Sequence, residues 1–172
     1  MEAVLSLGSC LGDSAATLKR AVGELAALPQ TRLVATSSLY LTEAVDVPEQ
    51  YKDLVFANAI AIIDTGLSCD ALSEAAHAIE ARLGRVRTGE RHAPRTIDID
   101  LVACGDSLSQ RDDLRLPHPE AARRRFVIEP LAEIRPSYIL PGQGKTATEI
   151  LAGLPTSPAV TRQPGGKLQP TF

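Results

Sequence analysis

The stretch that decides the fold class occupies residues 95–102 and reads Arg95-Thr96-Ile97-Asp98-Ile99-Asp100-Leu101-Val102. Apolar and polar residues alternate along it, which is the pattern of a β-strand, because successive side chains of a strand point to opposite faces. Ile97, Ile99 and Leu101 are therefore expected to face a core, and Asp98 and Asp100 to share the other face. Aspartate is depleted in strands, and neighbouring like charges repel. The predicted strand thus carries an acidic pair that packing does not explain.

The segments on either side of this strand predict the architecture. Strands are predicted over residues 4–7, 33–40, 55–63 and 96–103. Helices are predicted over residues 18–28 and 72–83, a further short helix is opened by Pro119, and residues 126–134 continue as a helix or a turn. The order βαββαβ followed by helices is typical of an α+β fold, with helices on one face of a mostly antiparallel sheet.

Length and composition indicate a globular protein. The chain has 172 residues, of which 44% are hydrophobic and 23% charged, and its net charge is −3. These values exclude intrinsic disorder and coiled coil. The length predicts one domain, which we place at residues 1–152. Residues 153–172 are rich in proline and glycine, which predicts a loose C-terminal tail.

The sequence also favours a cytoplasmic location. Its apolar runs fall far short of the about 20 residues that a transmembrane helix needs, and residues 1–7 lack the basic region and long apolar run of a secretory signal. Cys10, Cys69 and Cys104 are odd in number and widely spaced, so we expect neither a disulfide framework nor a zinc site.

Arginines cluster at two places in this otherwise acidic chain. Residues 82–95 contain five arginines and one acid, and Arg123-Arg124-Arg125 follows soon after. Each cluster indicates a local anionic partner, although a solvated loop would give the same pattern. The acidic pair Asp98 and Asp100 suits Mg²⁺, which shares its oxygen ligands with substrate phosphates, and guanidinium groups suit phosphate oxygens. The alternative is a strand face that carries two exposed acids.

Three smaller motifs have open interpretations. Phe56-Ala57-Asn58 would place an aromatic ring and an amide on one strand face, where they could stack on a flat heterocycle and bond its edge. A core phenylalanine beside an edge asparagine is the plainer alternative. His118, which lies between two prolines, is a candidate phosphate contact. Gly144-Lys145-Thr146 resembles the end of a P-loop, but no predicted strand leads into it, so we expect a turn.

Together these motifs resemble the signature of a known family, that of 6-hydroxymethyl-7,8-dihydropterin pyrophosphokinase, an enzyme of folate biosynthesis. The matching residues are Gly84-Arg85-Val86-Arg87, Arg91 and Pro94-Arg95-Thr96-Ile97-Asp98-Ile99-Asp100-Leu101. Supporting matches are Gly8-Ser9, Ser37-Ser38-Leu39-Tyr40-x-Thr42, Phe56-x-Asn58, Pro117-His118 and Arg124-x-Phe126. The resemblance covers about residues 1–150.

The resemblance implies a ferredoxin-like α+β fold with helices packed on the faces of the sheet. It implies transfer of pyrophosphate from ATP, the co-substrate, to the hydroxymethyl oxygen of the pterin, with release of AMP. Two Mg²⁺ ions would be held by Asp98 and Asp100. The other implied roles are catalysis by Arg85 and Arg95, ATP binding by Glu80, His118 and Arg124, and pterin binding by Thr42, Phe56, Asn58 and Phe126.

The expected partners are ATP and a pterin, without nucleic acid or membrane, and the expected state is a monomer. Two departures from the family pattern are Cys10, where asparagine is usual, and His92-Ala93, where Trp-Gly is common. They leave open a member that binds without catalysis. A ferredoxin-like RNA-binding module is the rival from another class. It would need stacking aromatics on adjacent strands, and the chain has only three Phe, three Tyr and no Trp.

Overall fold

The computed structural model describes residues 1–44, 49–86 and 94–170. Eight strands are found there: β1 Glu2–Ser9, β2 Thr31–Thr36, β3 Ser38–Glu43, β4 Val55–Thr65, β5 Asp98–Cys104, β6 Ser109–Arg111, β7 Leu114–Leu116 and β8 Val160–Lys167. The α-helices of the described ranges are α1 Ser14–Ala26, α2 Cys69–Arg82, α3 Arg125–Ile134 and α4 Ala147–Gly153, with short 3₁₀ turns at Glu49–Tyr51 and Ala121–Arg123.

The main sheet is antiparallel and is built around β4. Its strands lie in the order β5-β1-β4-β3-β8, and β2 pairs with β4 as well. The long β4 accommodates both partners on one side, because β2 pairs with its C-terminal half and β3 with its N-terminal half. β6 and β7 form a separate hairpin. The α+β class and the mostly antiparallel sheet are confirmed.

Helices cover both faces of this sheet, not one face as the element order predicts. On one face, Leu5 of β1 and Ile63 of β4 belong to a core with residues of α1 and α2. On the other face, Val4 and Ile62 belong to a second core with residues of α3 and α4. Adjacent residues of one strand thus enter different cores, as the alternation of strand side chains requires.

The predicted strand 33–40 is two strands, separated at Ser37. The Ser37 N–H donates to the carbonyl of Ile60 at 2.9 Å, and the Ser37 hydroxyl accepts the Ile60 N–H at 2.9 Å. A side chain thus replaces a main-chain acceptor at this point of the ladder, and the chain shifts from β2 to β3. The run of Thr, Val and Ser residues hides this break in the sequence.

The predicted loose tail is wrong for residues 160–167, which form the edge strand β8 on β3. Beyond it, Leu168 is buried, at 4% exposure, and its N–H donates to the Ser37 carbonyl at 2.8 Å. Proline and glycine are tolerated in an edge strand, because one side of the strand needs no ladder hydrogen bonds. Composition alone therefore gave the wrong expectation.

The spacing of the cysteines predicts no disulfide framework, but the structure contains a disulfide. Cys69, at the start of α2, is bonded to Cys104, at the end of β5, with their Cα atoms 6.0 Å apart. The fold brings these two element ends together although 35 residues separate them in sequence. Cys10 is free. None of the helices in the described ranges combines the length and apolar character needed to cross a lipid bilayer.

Local signals explain where the helices begin. The Asp13 carboxylate accepts the Ala16 N–H at 3.0 Å at the start of α1, and the Ser68 hydroxyl accepts the Ala71 N–H at 3.2 Å at the start of α2. Thr146 caps α4 in a reciprocal pair with Glu149. The P-loop-like Gly144-Lys145-Thr146 is therefore the turn and cap that precede a short helix, as expected.

Candidate active site

One face of the main sheet gathers the polar residues that sequence analysis singles out. Gly8 of β1 lies opposite both Asn58 of β4 and Asp98 of β5, and Thr42 of β3 lies opposite Phe56 of β4. Residues that are directly opposite across a ladder share a face. Residues two apart share it as well, which adds Asp100. The sheet thus presents a row of polar groups next to the N-terminus of α3.

These residues line a cavity of about 370 Å³. Its floor is the sheet, and one wall is the segment that leads into α3. The predicted site residues in its lining are Thr42, Phe56, Asn58, Arg95, Asp98, Asp100, Arg124 and Phe126. The predicted metal, pterin and phosphate contacts therefore meet in one place, although they are distributed over more than 80 positions of sequence.

Asp98 is held between two arginines. The Arg95 guanidinium contacts Asp98 at 2.6 Å between Nη1 and Oδ2, and Arg85 Nη1 contacts the other carboxylate oxygen. Burial opposes the charge of Arg85, but the carboxylates of Asp98 and Glu80 outweigh it and raise the pKa of Arg85 above its ordinary value. Both guanidinium groups are therefore positioned beside the acidic pair.

Glu80 supports this arrangement from the opposite side of the sheet. It is a buried residue of α2, at 2% exposure, and its Oε1 accepts the backbone N–H of Ile99 at 2.8 Å. The same oxygen contacts Arg85 Nη1. Glu80 thus connects α2, strand β5 and the arginine that reaches Asp98. Neither Glu80 nor Arg85 is part of the cavity lining described above.

Asp100 lies in an environment that opposes its charge. Burial, and next the neighbouring Asp98 carboxylate, raise the pKa of Asp100, while the positive charges of His118, Arg124 and Arg95 oppose the rise. Two carboxylates in such a place favour a shared cation between them. Among the described residues, no group of three or more His, Cys, Asp or Glu side chains forms a ready-made metal site.

Two carboxylates alone nevertheless fit Mg²⁺. This ion prefers hard oxygen ligands and usually takes the remainder of its coordination from waters and substrate phosphates. Asp98 and Asp100 supply such oxygens from one strand face, next to a cavity that has arginines on its walls. The donor set therefore suits a cation that binds together with a phosphate group.

The other end of the cavity is arranged for a flat, polar ring. Thr42 and Asn58 are buried, at 4% and 5% exposure, and the Asn58 amide donates to the Thr42 hydroxyl at 2.9 Å. Phe56 and Phe126 both line the cavity, and the Arg124 guanidinium lies 5.8 Å from the centre of the Phe126 ring. Aromatic surfaces beside a fixed amide and hydroxyl can stack on a heterocycle and recognise its edge.

His118 lies beside the cavity and not in its lining. Its ring Nδ1 accepts the Glu120 N–H at 3.2 Å, and its backbone N–H donates to the Val102 carbonyl at 2.9 Å. The imidazole lies close enough to Asp100 to oppose the rise in the pKa of that carboxyl. His77 is exposed on α2.

Several residues of the predicted signature fall outside the described ranges. They are Arg87, Arg91 and His92-Ala93.

Cys10 contributes to the site through Arg95. The Cys10 N–H donates to the Arg95 carbonyl at 3.1 Å, and the Arg95 N–H donates to the Cys10 sulfur at 3.3 Å. Burial raises the pKa of the Cys10 thiol, and the Arg95 backbone opposes the rise. The residue at this departure from the family pattern therefore fixes the backbone of an arginine that contacts Asp98.

One wall of the cavity lies in the segment predicted to be a loose tail. Pro155, Ser157, Pro158 and Val160 form it. No local motif marks these residues. Non-local contacts bring them to the site, among them the pairing of β8 with β3.

Comparison with known proteins gives a consistent result. The family described as 7,8-dihydro-6-hydroxymethylpterin-pyrophosphokinase matches residues 4–136. A curated relative from Methylorubrum extorquens, named 2-amino-4-hydroxy-6-hydroxymethyldihydropteridine pyrophosphokinase, is 44% identical over 90% of this chain and 94% of its own. A protein of the same name from Pseudomonas aeruginosa is 37% identical over 94% of this chain and 96% of its own.

Solved structures resemble the fold. The crystal structure of Plasmodium falciparum HPPK-DHPS wild type with SDX-DHP matches with a TM-score of 0.66 and 16% sequence identity. The match covers 88% of this chain, which spans 44% of the other. At this identity the similarity is one of fold.

Proposed function

The chain belongs to the 7,8-dihydro-6-hydroxymethylpterin-pyrophosphokinase family and is a diphosphotransferase of folate biosynthesis, and we propose that the cavity beside Asp98 is where the transfer takes place. In this reaction the hydroxymethyl oxygen of the pterin bonds to the β-phosphorus of ATP. The bond from that phosphorus to the α–β bridging oxygen breaks, AMP leaves, and the hydroxyl proton is released. The observation that supports this location is the meeting of an acidic pair, arginines and a ring-binding end in one cavity.

Asp98 and Asp100 would hold the Mg²⁺ ions, for which we propose a count of two. When bound, Mg²⁺ neutralises phosphate charge and polarises phosphoryl oxygens. The fit rests on the two carboxylates that share one strand face and on the raised pKa of Asp100.

Arg85 and Arg95 would stabilise negative charge on the transferring group. Both already contact Asp98, so both guanidinium groups lie within reach of a phosphate beside the acidic pair. A loose transition state for phosphoryl transfer needs little base catalysis, and positioning with charge neutralisation supplies most of the rate enhancement. Glu80 would affect ATP indirectly, because it positions Arg85. The direct contact of Glu80 with ATP that the resemblance implies stays a prediction.

His118 and Arg124 would bind the ATP phosphates. Arg124 lines the cavity and also lies on the Phe126 ring, so it connects the phosphate end to the ring end. His118 lies beside the cavity and is close enough to Asp100 to affect that carboxylate. Both positions suit groups that contact an anion beside the acidic pair.

Phe56 and Phe126 would stack on the pterin ring, and Thr42 with Asn58 would bond its edge. The bond between Asn58 and Thr42 fixes the amide before the ring arrives, and preorganised polar groups lose less entropy on binding. The short distance between the ring end and Asp98 would bring the hydroxymethyl oxygen towards the phosphates.

The ferredoxin-like topology, a monomeric state and a cytoplasmic location belong to the same proposal. The βαββαβ order of β1, α1, β3, β4, α2 and β5 supports the topology. ATP as co-substrate supports the cytoplasm. The RNA-binding alternative is disfavoured because α3 packs on the sheet face that carries Phe56, so that face offers no open stacking platform.

The test is a product assay with ATP, Mg²⁺ and 6-hydroxymethyl-7,8-dihydropterin. AMP should form only when the pterin is present, whereas ADP as product would reject pyrophosphoryl transfer. Asp98→Asn should lower turnover by about 100-fold or more with little change in folding. The matched control is Asp112→Asn, because Asp112 is a surface acid whose side chain is 95% exposed. Equal turnover of the two variants at saturating Mg²⁺ would reject the role of Asp98.

A further inference from the structure

The C-terminal segment that precedes β8 forms a wall of the cavity. Pro155, Ser157, Pro158 and Val160 belong to its lining, together with Phe56 and Phe126 from the ring end. These wall residues lie beyond the part of the chain that the family match covers, which ends at residue 136. The family match therefore does not assign a role to these residues.

The register places Val160 next to the ring end. Val160 of β8 lies opposite Thr42 of β3, and Thr42 lies opposite Phe56 of β4. Directly opposite residues share a face, so the three side chains form one row across the sheet. Val160 is half-buried, while its neighbours Ala159 and Thr161 are exposed. The isopropyl group therefore borders the cavity at the side of Thr42 that lies away from Phe56.

Polar contacts from α3 hold this wall near its start. Arg125 pairs with Glu129 at 2.7 Å and also donates to the carbonyls of Leu154 and Pro155, at 3.4 and 3.3 Å. These contacts fasten the main chain where it leaves α4 and enters the cavity wall. The segment is thereby tied to the same helix that carries Phe126.

The strand that follows the wall is fastened at a second place. Arg162 of β8 pairs with Glu133 of α3 at 2.9 Å and donates to the Ser38 hydroxyl at 2.9 Å. Glu133 in turn accepts the Ser38 N–H at 2.9 Å. Val160 lies between these two attachments, so its position relative to Thr42 is fixed by the fold.

We propose that Val160, with Pro158 beside it, is a specificity-determining residue that forms the outer apolar edge of the pterin subsite. This inference rests on the proposed function. An apolar group next to Thr42 excludes water from the hydrogen bonds between the ring edge and the Thr42–Asn58 pair, and such bonds are stronger in a drier site. It also limits the width of ring that can enter.

Val160→Ala tests this role, with Thr161→Ala as the matched control on the opposite face of the same strand. Pterin affinity is measured by titrating pterin fluorescence with and without a non-hydrolysable ATP analogue, and the KM for ATP is measured separately. Val160→Ala should weaken pterin binding about fivefold, as two half-buried methyl groups imply, and leave the KM for ATP within about twofold. Thr161→Ala should change neither value.

The outcomes separate the wall from the proposed function. If the wild type produces AMP, then an unchanged pterin affinity of Val160→Ala, or equal weakening of pterin binding and ATP binding, would overturn the role of Val160. A wild type that neither binds pterin nor forms AMP would overturn the proposed function itself. If Val160→Ala does not fold, Val160→Thr keeps the side-chain shape and replaces one methyl group by a hydroxyl, and it should show the same selective loss of pterin affinity.

Discussion

Replacing Glu80 by glutamine perturbs the site from a distance. The substitution keeps the size of the side chain and an oxygen that can accept the Ile99 N–H, but it removes the charge that pairs with Arg85. Arg85 keeps its contact with Asp98. The charged hydrogen bond from Arg85 to a buried carboxylate is therefore weakened, which we expect to lower the free energy of unfolding by about 2 kcal/mol.

The pair formed by Glu24 and Arg82 provides the control, because Arg82 is exposed and Glu24 is far less buried than Glu80. Glu24→Gln should lower the free energy of unfolding by less than about 1 kcal/mol, as is usual for surface pairs. Urea denaturation measures both values. Glu80→Gln should also lower kcat about tenfold or more, because Arg85 loses one of its two carboxylate contacts, while pterin affinity stays unchanged.

If Glu80→Gln matches Glu24→Gln in both stability and kcat, Glu80 does not position Arg85. A loss of stability with normal kcat would make Glu80 a purely structural residue. A fall in kcat that Glu80→Asp partly restores would support positioning by the carboxylate.

Three further substitutions test other parts of the site. Asp100→Asn should raise stability at neutral pH and greatly lower turnover. Because the pKa of Asp100 is raised in the folded state, the folded wild type holds a proton that the unfolded chain loses above about pH 3.8, and its stability falls as pH rises. Thermal melts between pH 3 and 7 should show this fall in the wild type and not in the variant. Tyr40→Phe should flatten the loss of stability between about pH 10 and 12, because burial and the Glu133 carboxylate raise the pKa of Tyr40 to about 12. In this range the phenol ionises in the unfolded chain but stays neutral in the folded one, so wild-type stability falls as pH rises; an unchanged alkaline slope in the variant would contradict this. Asn58→Ala should weaken pterin binding by roughly 10- to 100-fold and leave the KM for ATP unaffected, because the ring edge loses a fixed amide; equal effects on both substrates would refute the assignment.

The sequence predicts those parts of the fold that depend on local patterns. The alternation of residues 96–103 gives β5 and its two faces, and apolar spacing gives α1 and α2, since each is decided within a few residues. The division at Ser37, the edge strand β8 and the bond between Cys69 and Cys104 all depend on which segments meet in space. Such pairing has no local signal, so composition and spacing led to wrong expectations there.

The candidate site follows the same rule. Asp98, Asp100 and the arginines were evident because their residue types conflict with a simple packing role. Glu80 was named only through resemblance, and its burial against Ile99 and Arg85 shows how it can affect chemistry without lining the cavity. Val160 gave no signal, because a valine in a proline-rich segment is ordinary until the register places it beside Thr42.

Asp98 and Asp100 together are proposed to hold a divalent cation next to a triphosphate. A crystal structure of the chain with Mn²⁺ and a non-hydrolysable ATP analogue, analysed by anomalous scattering, tests this arrangement. A manganese peak is expected within coordination distance of both carboxylates and of phosphate oxygens. A bound nucleotide whose metal contacts neither Asp98 nor Asp100 would contradict it.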